Sequence, residues 1–168
     1  SANPCGYLDK PEEFFSDPRA KKDTMKMIRY VMARYGYSTS LFCYELFNEL
    51  DAASGTVEAK RLWLQEMCSY IRTHDAYKHL VSNSTAIVPN PLTTDESLDF
   101  IYLHSYNIHG GFTSMDQMQT LLWFKYRKPV LFGEFGILCK EYEIDEKAVA
   151  LHQGMWSGLM GGGAGCGM

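Results

Sequence analysis

The sequence predicts an α/β fold built around a parallel sheet. Helical and strand patterns alternate along its 168 residues, as they do in chains made of right-handed βαβ units. Three short runs are almost continuously apolar, which is typical of strands that are covered on both faces. These runs are residues 41–47, 98–104 and 129–132. Two of the runs lead into a glutamate, Glu49 and Glu134, so acidic side chains are expected where two strands end.

The first predicted helix precedes the run 41–47. Asp17 supplies a capping acid and Pro18 a first-turn proline, which together are typical of a helix start. Apolar residues then recur at helical spacing up to Gly36, where the helix is expected to end. The run 41–47 follows as the first strand.

A second helix is expected to begin between Ser54 and Glu58. Its predicted buried face consists of Val57, Leu64, Met67, Cys68 and Ile71. A short strand over residues 79–82 comes next. The segment 83–97 is rich in proline, asparagine and threonine, and is therefore expected to be a loop with little regular structure.

The second half of the chain repeats helix and strand. Residues 98–104 form a strand, and the next helix is expected to begin near Ser114 and to end before Pro129. Its apolar positions are Met118, Leu121, Leu122 and Trp123. A further strand starts at Pro129. Asp145 is expected to cap the last helix, and the glycine-rich residues 161–168 to form a fifth strand.

Composition argues against several classes of function. The chain is 46% hydrophobic and 14% aromatic, which suits a folded domain with a sizeable core. A net charge of −4 without a long basic run argues against nucleic acid, and no uncharged apolar stretch is long enough for a membrane span. The cysteines form no Cys-x-x-Cys pair and the histidines no His-Glu-x-x-His element, so no metal or other cofactor is expected. The terminal glycines lack the following helix that a nucleotide-binding loop requires.

The two strand-end glutamates match a specific chemistry. Retaining glycoside hydrolysis uses two carboxyl groups about 5 Å apart, one as proton donor and the other as nucleophile. Strands of one parallel barrel can bring such side chains together, because their carboxyl ends meet at one face. Glu49 and Glu134 are therefore candidate catalytic residues, and the alternative is a pair of solvated loop glutamates.

Three motifs carry a resemblance to a known family. They are residues 44–49, His104-Ser105-Tyr106 and residues 132–136. The chain resembles the clan of (β/α)8-barrel glycoside hydrolases that includes the family 5 cellulases and mannanases. There the acid/base glutamate follows an asparagine at the end of strand four, and the nucleophile ends strand seven. The resemblance implies that Glu49 is the acid/base and Glu134 the nucleophile. It also implies that residues 1–168 are one domain, the C-terminal portion of a catalytic barrel: a partial (β/α)8 TIM barrel, approximately strands 4 to 8 with intervening helices.

Four further residues are candidates for substrate binding. By resemblance, Asn48 would hydrogen-bond the sugar 2-hydroxyl, Tyr106 would contact Glu134, and His104 would line the same pocket. Tyr142, in the loop after the last motif, is a candidate for stacking on a sugar. The plainer alternatives are a loop-capping amide for Asn48 and a pair of half-buried polar aromatics for Tyr106 and His104.

Other residues near these motifs receive structural expectations. Period-two alternation places Glu45 on the face of Phe47 and Glu49, pointing into the barrel, where an ionised carboxyl would need a partner. Trp123 and Trp156 fall within helical patterns and are expected in the core.

The leading hypothesis is a retaining glycosidase that needs no cofactor. Its substrate would be a β-linked gluco- or manno-configured polysaccharide or oligosaccharide, and neither nucleic acid nor membrane is an expected partner. The alternative is a catalytically incomplete barrel fragment that only binds carbohydrate or a partner chain, with self-association through exposed sheet edges. A third hypothesis, an open nucleotide-binding sheet, matches the strand count but lacks a glycine turn after its first strand. The resemblance implies secretion or a periplasmic location, while the chain itself carries no address.

Overall fold

The structure of the protein is a computed structural model that describes residues 6–87, 90–106, 113–136 and 149–166. The helices in this part of the chain are a short 3₁₀ helix (Pro11–Phe15), α1 (Pro18–Tyr35), α2 (Val57–His74), α3 (Thr113–Tyr126) and α4 (Val149–Met160). The strands are β1 (Cys43–Glu45), β2 (Leu80–Ser82), β3 (Ser84–Thr85), β4 (Ile101–Tyr106), β5 (Val130–Gly136) and β6 (Gly165–Cys166). No helix among the described residues is long and apolar enough to cross a membrane.

The strands lie side by side in chain order and every pair is parallel. β1 pairs with β2, and β3, β4, β5 and β6 form a second sheet in that order. Only Asn83 separates β2 from β3, and the Leu50 N–H donates to the carbonyl oxygen of Ser84 at 3.1 Å. The two sheets are therefore consecutive parts of one parallel arrangement. This is the topology of successive units of a (β/α)8 barrel, and it confirms the predicted fold class.

The first helix begins where the sequence predicts. The Asp17 carboxylate accepts hydrogen bonds from the backbone N–H groups of Arg19 and Ala20, which would otherwise lack helical partners. The helix ends before Gly36 as expected, but the reason differs from the expected one. Gly36 has φ −59°, in the right-handed region, and a Cβ at this position would lie 2.6 Å from the carbonyl oxygen of Met32. Close packing, rather than a left-handed turn, requires glycine here.

The second helix packs the larger of two apolar clusters. Its buried side includes the predicted Leu64, Met67, Cys68 and Ile71. Trp63 is also buried, whereas Val57 is 49% exposed because it is the first residue of the helix, so its predicted burial is wrong. Leu50 and Val81 join this cluster from the strand side.

The connection between β3 and β4 is a loop, as the sequence predicts, so strand and helix do not alternate strictly at this point. The expected loop 83–97 begins with β3, and residues 86–87 and 90–100 then contain no helix. Side-chain hydrogen bonds tie this segment to its neighbours. The buried carboxylate of Asp95 accepts hydrogen bonds from Arg61 Nε and Gln65 Nε2 on α2, both at 2.9 Å. Lys128 Nζ donates to the carbonyl oxygens of Asp95 and Leu98, at 2.6 and 2.8 Å.

The second apolar cluster lies between the sheet and the last two helices. It consists of Ile101, Leu103, Met115, Leu122, Val130, Phe132 and Phe135. The prediction that Trp123 and Trp156 are buried is wrong, since they are 44% and 53% exposed, and Leu121 is 69% exposed. Apolar residues occur on every side of α3, so spacing alone could not select its buried side. β6 confirms the predicted last strand, while the expected cap Asp145 lies outside the described residues.

Candidate active site

A β-bulge aims Glu134 toward the neighbouring strand. Leu103 pairs with Phe132, but the next residue, His104, pairs with Glu134, so Gly133 is the extra residue. A bulge of this kind redirects the side chain that follows it. A Cβ at Gly133 would lie 2.0 Å from a ring carbon of Tyr102. Glycine therefore lets the Tyr102 ring cross the bulge.

Glu49 lies in the turn that follows β1. Its backbone N–H donates to Ser84 Oγ at 2.9 Å, which ties the turn to β3. Its φ is +49°, a left-handed conformation shared by only two other non-glycine residues in the described part of the chain, Lys78 and Arg127. Such a conformation costs an L-residue about 1 to 2 kcal/mol, and residues held this way cluster at functional sites.

His104 joins the two glutamates. Its Nδ1 lies 2.9 Å from Glu49 Oε1, and its Nε2 lies 3.5 Å from Glu134 Oε1. The ring is almost completely buried, with 2% exposure. The Tyr106 hydroxyl donates a short hydrogen bond to Glu134 Oε2. One carboxylate oxygen of each glutamate lies within 4.8 Å of the other, close to the separation of about 5 Å that retaining glycosidases use.

The remaining candidates divide into three groups. Tyr106 and His104 meet the glutamates as described above. Asn48 is exposed beside Glu49, and its contact with a sugar stays a prediction. Tyr142 lies outside the described residues.

The expected position of Glu45 needs correction. β1 ends at Glu45, so strand alternation does not continue to Phe47, which packs against Phe14, Phe15 and Trp63 instead. Glu45 itself is exposed among the described residues, and it lies on the strand face of Ser82, with which it pairs. Burial raises the pKa of Tyr102, and the charge of Glu45 raises it further.

A column of rings leads along the sheet to His104, and sequence reasoning missed it. The ring centroids of Phe42 and Phe100 lie 5.7 Å apart, those of Phe100 and Tyr102 5.9 Å, and those of Tyr102 and His104 5.8 Å. The signal was present, because Phe100, Tyr102 and His104 alternate with period two along one strand. Ser84 gave no such signal, since it fell within a predicted loop.

The same three side chains have the donor atoms of a metal site. Glu49, His104 and Glu134 each offer a ligand atom, and these atoms lie within 4.8 Å of one another. Carboxylate and imidazole donors suit zinc and other transition metals. Each ring nitrogen of His104, however, faces a different carboxylate. A bound ion would therefore have to displace at least one of these contacts.

Parallel strands in barrel order, with Glu134 near the end of β5 and Glu49 in the turn after β1, have the topology of part of a (β/α)8 barrel. The hyperthermostable endo-1,4-β-D-mannanase from Thermotoga petrophila RKU-1 shares this fold with a TM-score of 0.70 and 18% identity, over 92% of this chain and 55% of that chain. A second mannanase structure from Thermotoga petrophila has a TM-score of 0.69 and 19% identity, over 92% of this chain and 42% of that chain.

A more distant similarity is with the β-glucuronidase of Bifidobacterium dentium. Its TM-score is 0.57 at 19% identity, over 73% of this chain and 21% of that chain. No family model matches the sequence, and no curated protein matches it. The chain thus spans about half the length of the mannanases, and it has the fold of the corresponding part of a glycoside hydrolase barrel.

Proposed function

We propose that this chain carries the catalytic pair of a retaining glycoside hydrolase that cleaves a β-linked gluco- or manno-configured polysaccharide. The observation that carries the proposal is the separation of the Glu49 and Glu134 carboxylates, which is within 4.8 Å. Inverting enzymes hold their carboxyl groups roughly 6.5 to 9.5 Å apart, because a water molecule must fit between one of them and the sugar. The shorter separation favours direct attack by one carboxylate.

Glu134 is the proposed nucleophile. In the first step its ionised carboxylate attacks the anomeric carbon, and the bond from that carbon to the leaving oxygen breaks. Glu49 begins protonated and donates its proton to the leaving oxygen. In the second step Glu49 accepts a proton from water, and the water oxygen attacks the anomeric carbon and releases the Glu134 carboxylate.

Tyr106 and His104 would orient this pair. The Tyr106 hydroxyl donates to one oxygen of Glu134, which leaves the other oxygen to attack the sugar. His104 lies between the two carboxyl groups and contacts Glu49 more closely than Glu134. A neutral imidazole carries one ring proton, so it can donate to only one of its two neighbours at a time.

The similar structures guide the choice of substrate. Two of them are mannanases and one is a β-glucuronidase, and all three names refer to β-linked sugars. Turnover should therefore be compared on soluble β-mannan, soluble β-glucan and an aryl β-glucuronide. We expect activity on β-mannan or β-glucan, since the similar mannanase structures cover most of this chain.

The test separates the two glutamates by azide rescue. The variant Glu134→Ala should lose turnover, and azide should restore it by forming a glycosyl azide of inverted configuration. The variant Glu49→Ala should still form the glycosyl-enzyme from an activated aryl glycoside, and azide should then give a retained product. Glu45→Ala is the matched control, because Glu45 is an exposed glutamate four positions before Glu49 in the sequence. Equal loss in both variants with no azide product would reject the assignment.

The alternative function is binding without catalysis. Phe42, directly before β1, and Leu80, the first residue of β2, are 61% and 39% exposed, which favours apolar surface at this edge that another chain or segment covers. In this case the protein would self-associate or bind carbohydrate without turnover. Sedimentation at micromolar concentration, together with the three turnover assays, distinguishes the two functions. A compact monomer with ordinary turnover supports the first function, and an assembly without turnover supports the second.

A further inference from the structure

Lys60 is a buried lysine next to the candidate site. It lies in the first turn of α2 and is only 3% exposed. Its ammonium group donates to the backbone carbonyl oxygens of Leu50 at 3.1 Å, Asp51 at 3.2 Å and Ala53 at 2.7 Å. An ammonium has three N–H donors, so all of its donors are used. All three acceptors belong to the turn that begins at Glu49.

A second set of hydrogen bonds holds the same turn from the other side. The Asp51 carboxylate accepts from the backbone N–H groups of Ala86 and Ile87, at 3.1 and 2.8 Å. The Glu49 N–H donates to Ser84 Oγ at 2.9 Å. The turn is therefore fixed both to α2 and to the segment around β3, while its first residue has a left-handed backbone.

A buried lysine is a costly way to fill this space. Moving an ammonium out of water is unfavourable unless every donor is paired, and a leucine or methionine could fill the position without that cost. What the ammonium adds is three directed hydrogen bonds to one turn. These bonds can hold Glu49 in a conformation that its own backbone preference opposes.

We infer that Lys60 is a positioning residue that fixes the turn after Glu49 and thereby directs the carboxyl group of Glu49 toward His104 and the leaving oxygen. The inference rests on the proposed function, in which Glu49 is the acid/base. Proton transfer requires hydrogen-bond reach, and a misplacement of about 1 Å can cost on the order of 100-fold in rate. Glu134 lies on β5 and is held by Tyr106, so loosening the turn should affect proton donation more than nucleophilic attack.

The kinetic test compares Lys60→Met with a matched control, Lys128→Met. Lys128 is also a partly buried lysine that donates to two backbone carbonyl oxygens, those of Asp95 and Leu98, but these lie outside the turn. For Lys60→Met we expect kcat/KM to fall roughly 10- to 100-fold for aryl glycosides with poor leaving groups. With good leaving groups it should change less than about threefold, because they need little protonation. Lys128→Met should leave the leaving-group ratio unchanged, which is the ratio of kcat/KM with good leaving groups to kcat/KM with poor ones.

A second measurement does not depend on turnover. The ¹⁵N signals of the His104 ring report its contact with Glu49, and Glu49→Gln supplies the reference for an altered contact. In Lys60→Met the Nδ1 signal should shift away from its native value, whereas in Lys128→Met it should stay. If no substrate is turned over but the signal shifts, the proposed hydrolase fails and the positioning role stands.

The outcomes that would overturn the inference are equally defined. A folded Lys60→Met protein with an unchanged ring signal and an unchanged leaving-group ratio rejects it. If this variant does not fold, Lys60→Gln replaces it, because its amide keeps two N–H donors for three carbonyl oxygens. A smaller change in the same direction then supports the inference, and native values in both measurements reject it.

Discussion

The left-handed backbone of Glu49 predicts an unusual order of stability among its substitutions. Glycine adopts a φ of +49° without steric cost, whereas alanine would pay about 1 to 2 kcal/mol. Glycine also makes the unfolded chain more flexible, which offsets about 0.4 to 1 kcal/mol of that advantage. We therefore expect Glu49→Gly to be more stable than Glu49→Ala by about 0.5 to 1 kcal/mol, although both lose the carboxyl group.

Glu134 supplies the control with the opposite sign. It lies within β5 and is not among the described non-glycine residues with positive φ. In a strand, glycine is less stable than alanine by about 0.5 to 1 kcal/mol, so Glu134→Ala should be the more stable of that pair. Lys78, with φ +59°, is a second control away from the glutamate pair and should follow the order of Glu49.

The assay is urea unfolding of the four glutamate variants and the two Lys78 variants at one pH. For a chain of this size, 1 kcal/mol corresponds to a shift of about 2 to 4 °C in Tm, so thermal scans give an independent estimate. The difference in stability between the glycine and alanine variants should therefore have opposite signs at Glu49 and at Glu134. If alanine is more stable than glycine at Glu49 by as much as at Glu134, the backbone at Glu49 is not strained and the argument from strain to function fails.

Three other perturbations have definite expected outcomes. Gly133→Ala should lower the free energy of unfolding by about 1 to 3 kcal/mol and reduce turnover, because its Cβ would lie 2.0 Å from the Tyr102 ring. Thermal unfolding followed by circular dichroism measures the first effect and kcat/KM the second. Unchanged values would contradict the role of Gly133 in letting the Tyr102 ring cross the bulge. Burial tends to raise the pKa of Asp95, but hydrogen bonds from Ser97, Arg61 and Gln65 outweigh it and hold that pKa below its ordinary value. The stability that this carboxylate contributes is therefore present above its unfolded pKa of about 4 and is lost as pH falls through its folded pKa. Asp95→Asn should lower the free energy of unfolding by about 2 kcal/mol at pH 7 and by less in acid. Urea titrations at several pH values measure this difference. Added Zn²⁺ should inhibit turnover reversibly, and EDTA should restore it, because Glu49, His104 and Glu134 each offer a ligand atom and these atoms lie within 4.8 Å of one another. Inhibition that survives mutation of His104 would place the ion elsewhere.

The elements that the sequence predicts well are those determined by neighbouring residues. The start of α1 depends on Asp17, which directly precedes the helix, and on Pro18, its first residue. The connection between β3 and β4 behaves differently, since its conformation depends on Arg61 and Gln65, 34 and 30 positions from Asp95. The sequence predicts that this segment is a loop without a helix, which the structure confirms. No local pattern indicates contacts over such a separation, so the conformation of the loop could not be predicted.

The candidate site shows the same division. The position of Glu134 near the end of β5 follows from an apolar run and a short motif, both visible in the sequence. The bulge at Gly133 does not, because it depends on a ring from the neighbouring strand. Likewise the Asn-Glu motif identifies Glu49, but its left-handed backbone lies in a turn whose partners are distant in sequence. The Glu49 N–H donates to Ser84 Oγ, and Lys60 Nζ donates to the carbonyl oxygen of Leu50.

The two glutamates rest on separate apolar clusters, and this explains why His104 matters to both. Leu50, directly after Glu49, is buried in the cluster around α2, whereas Phe132 and Phe135, on either side of Glu134, are buried in the cluster beneath α3 and α4. His104 follows Leu103 of the second cluster, yet its Nδ1 contacts Glu49 of the first at 2.9 Å. Because packed clusters resist small displacements, each carboxyl group is fixed by its own support. The separation of the Glu49 and Glu134 carboxylates, on which the proposed double displacement depends, is then set where His104 bridges the two clusters.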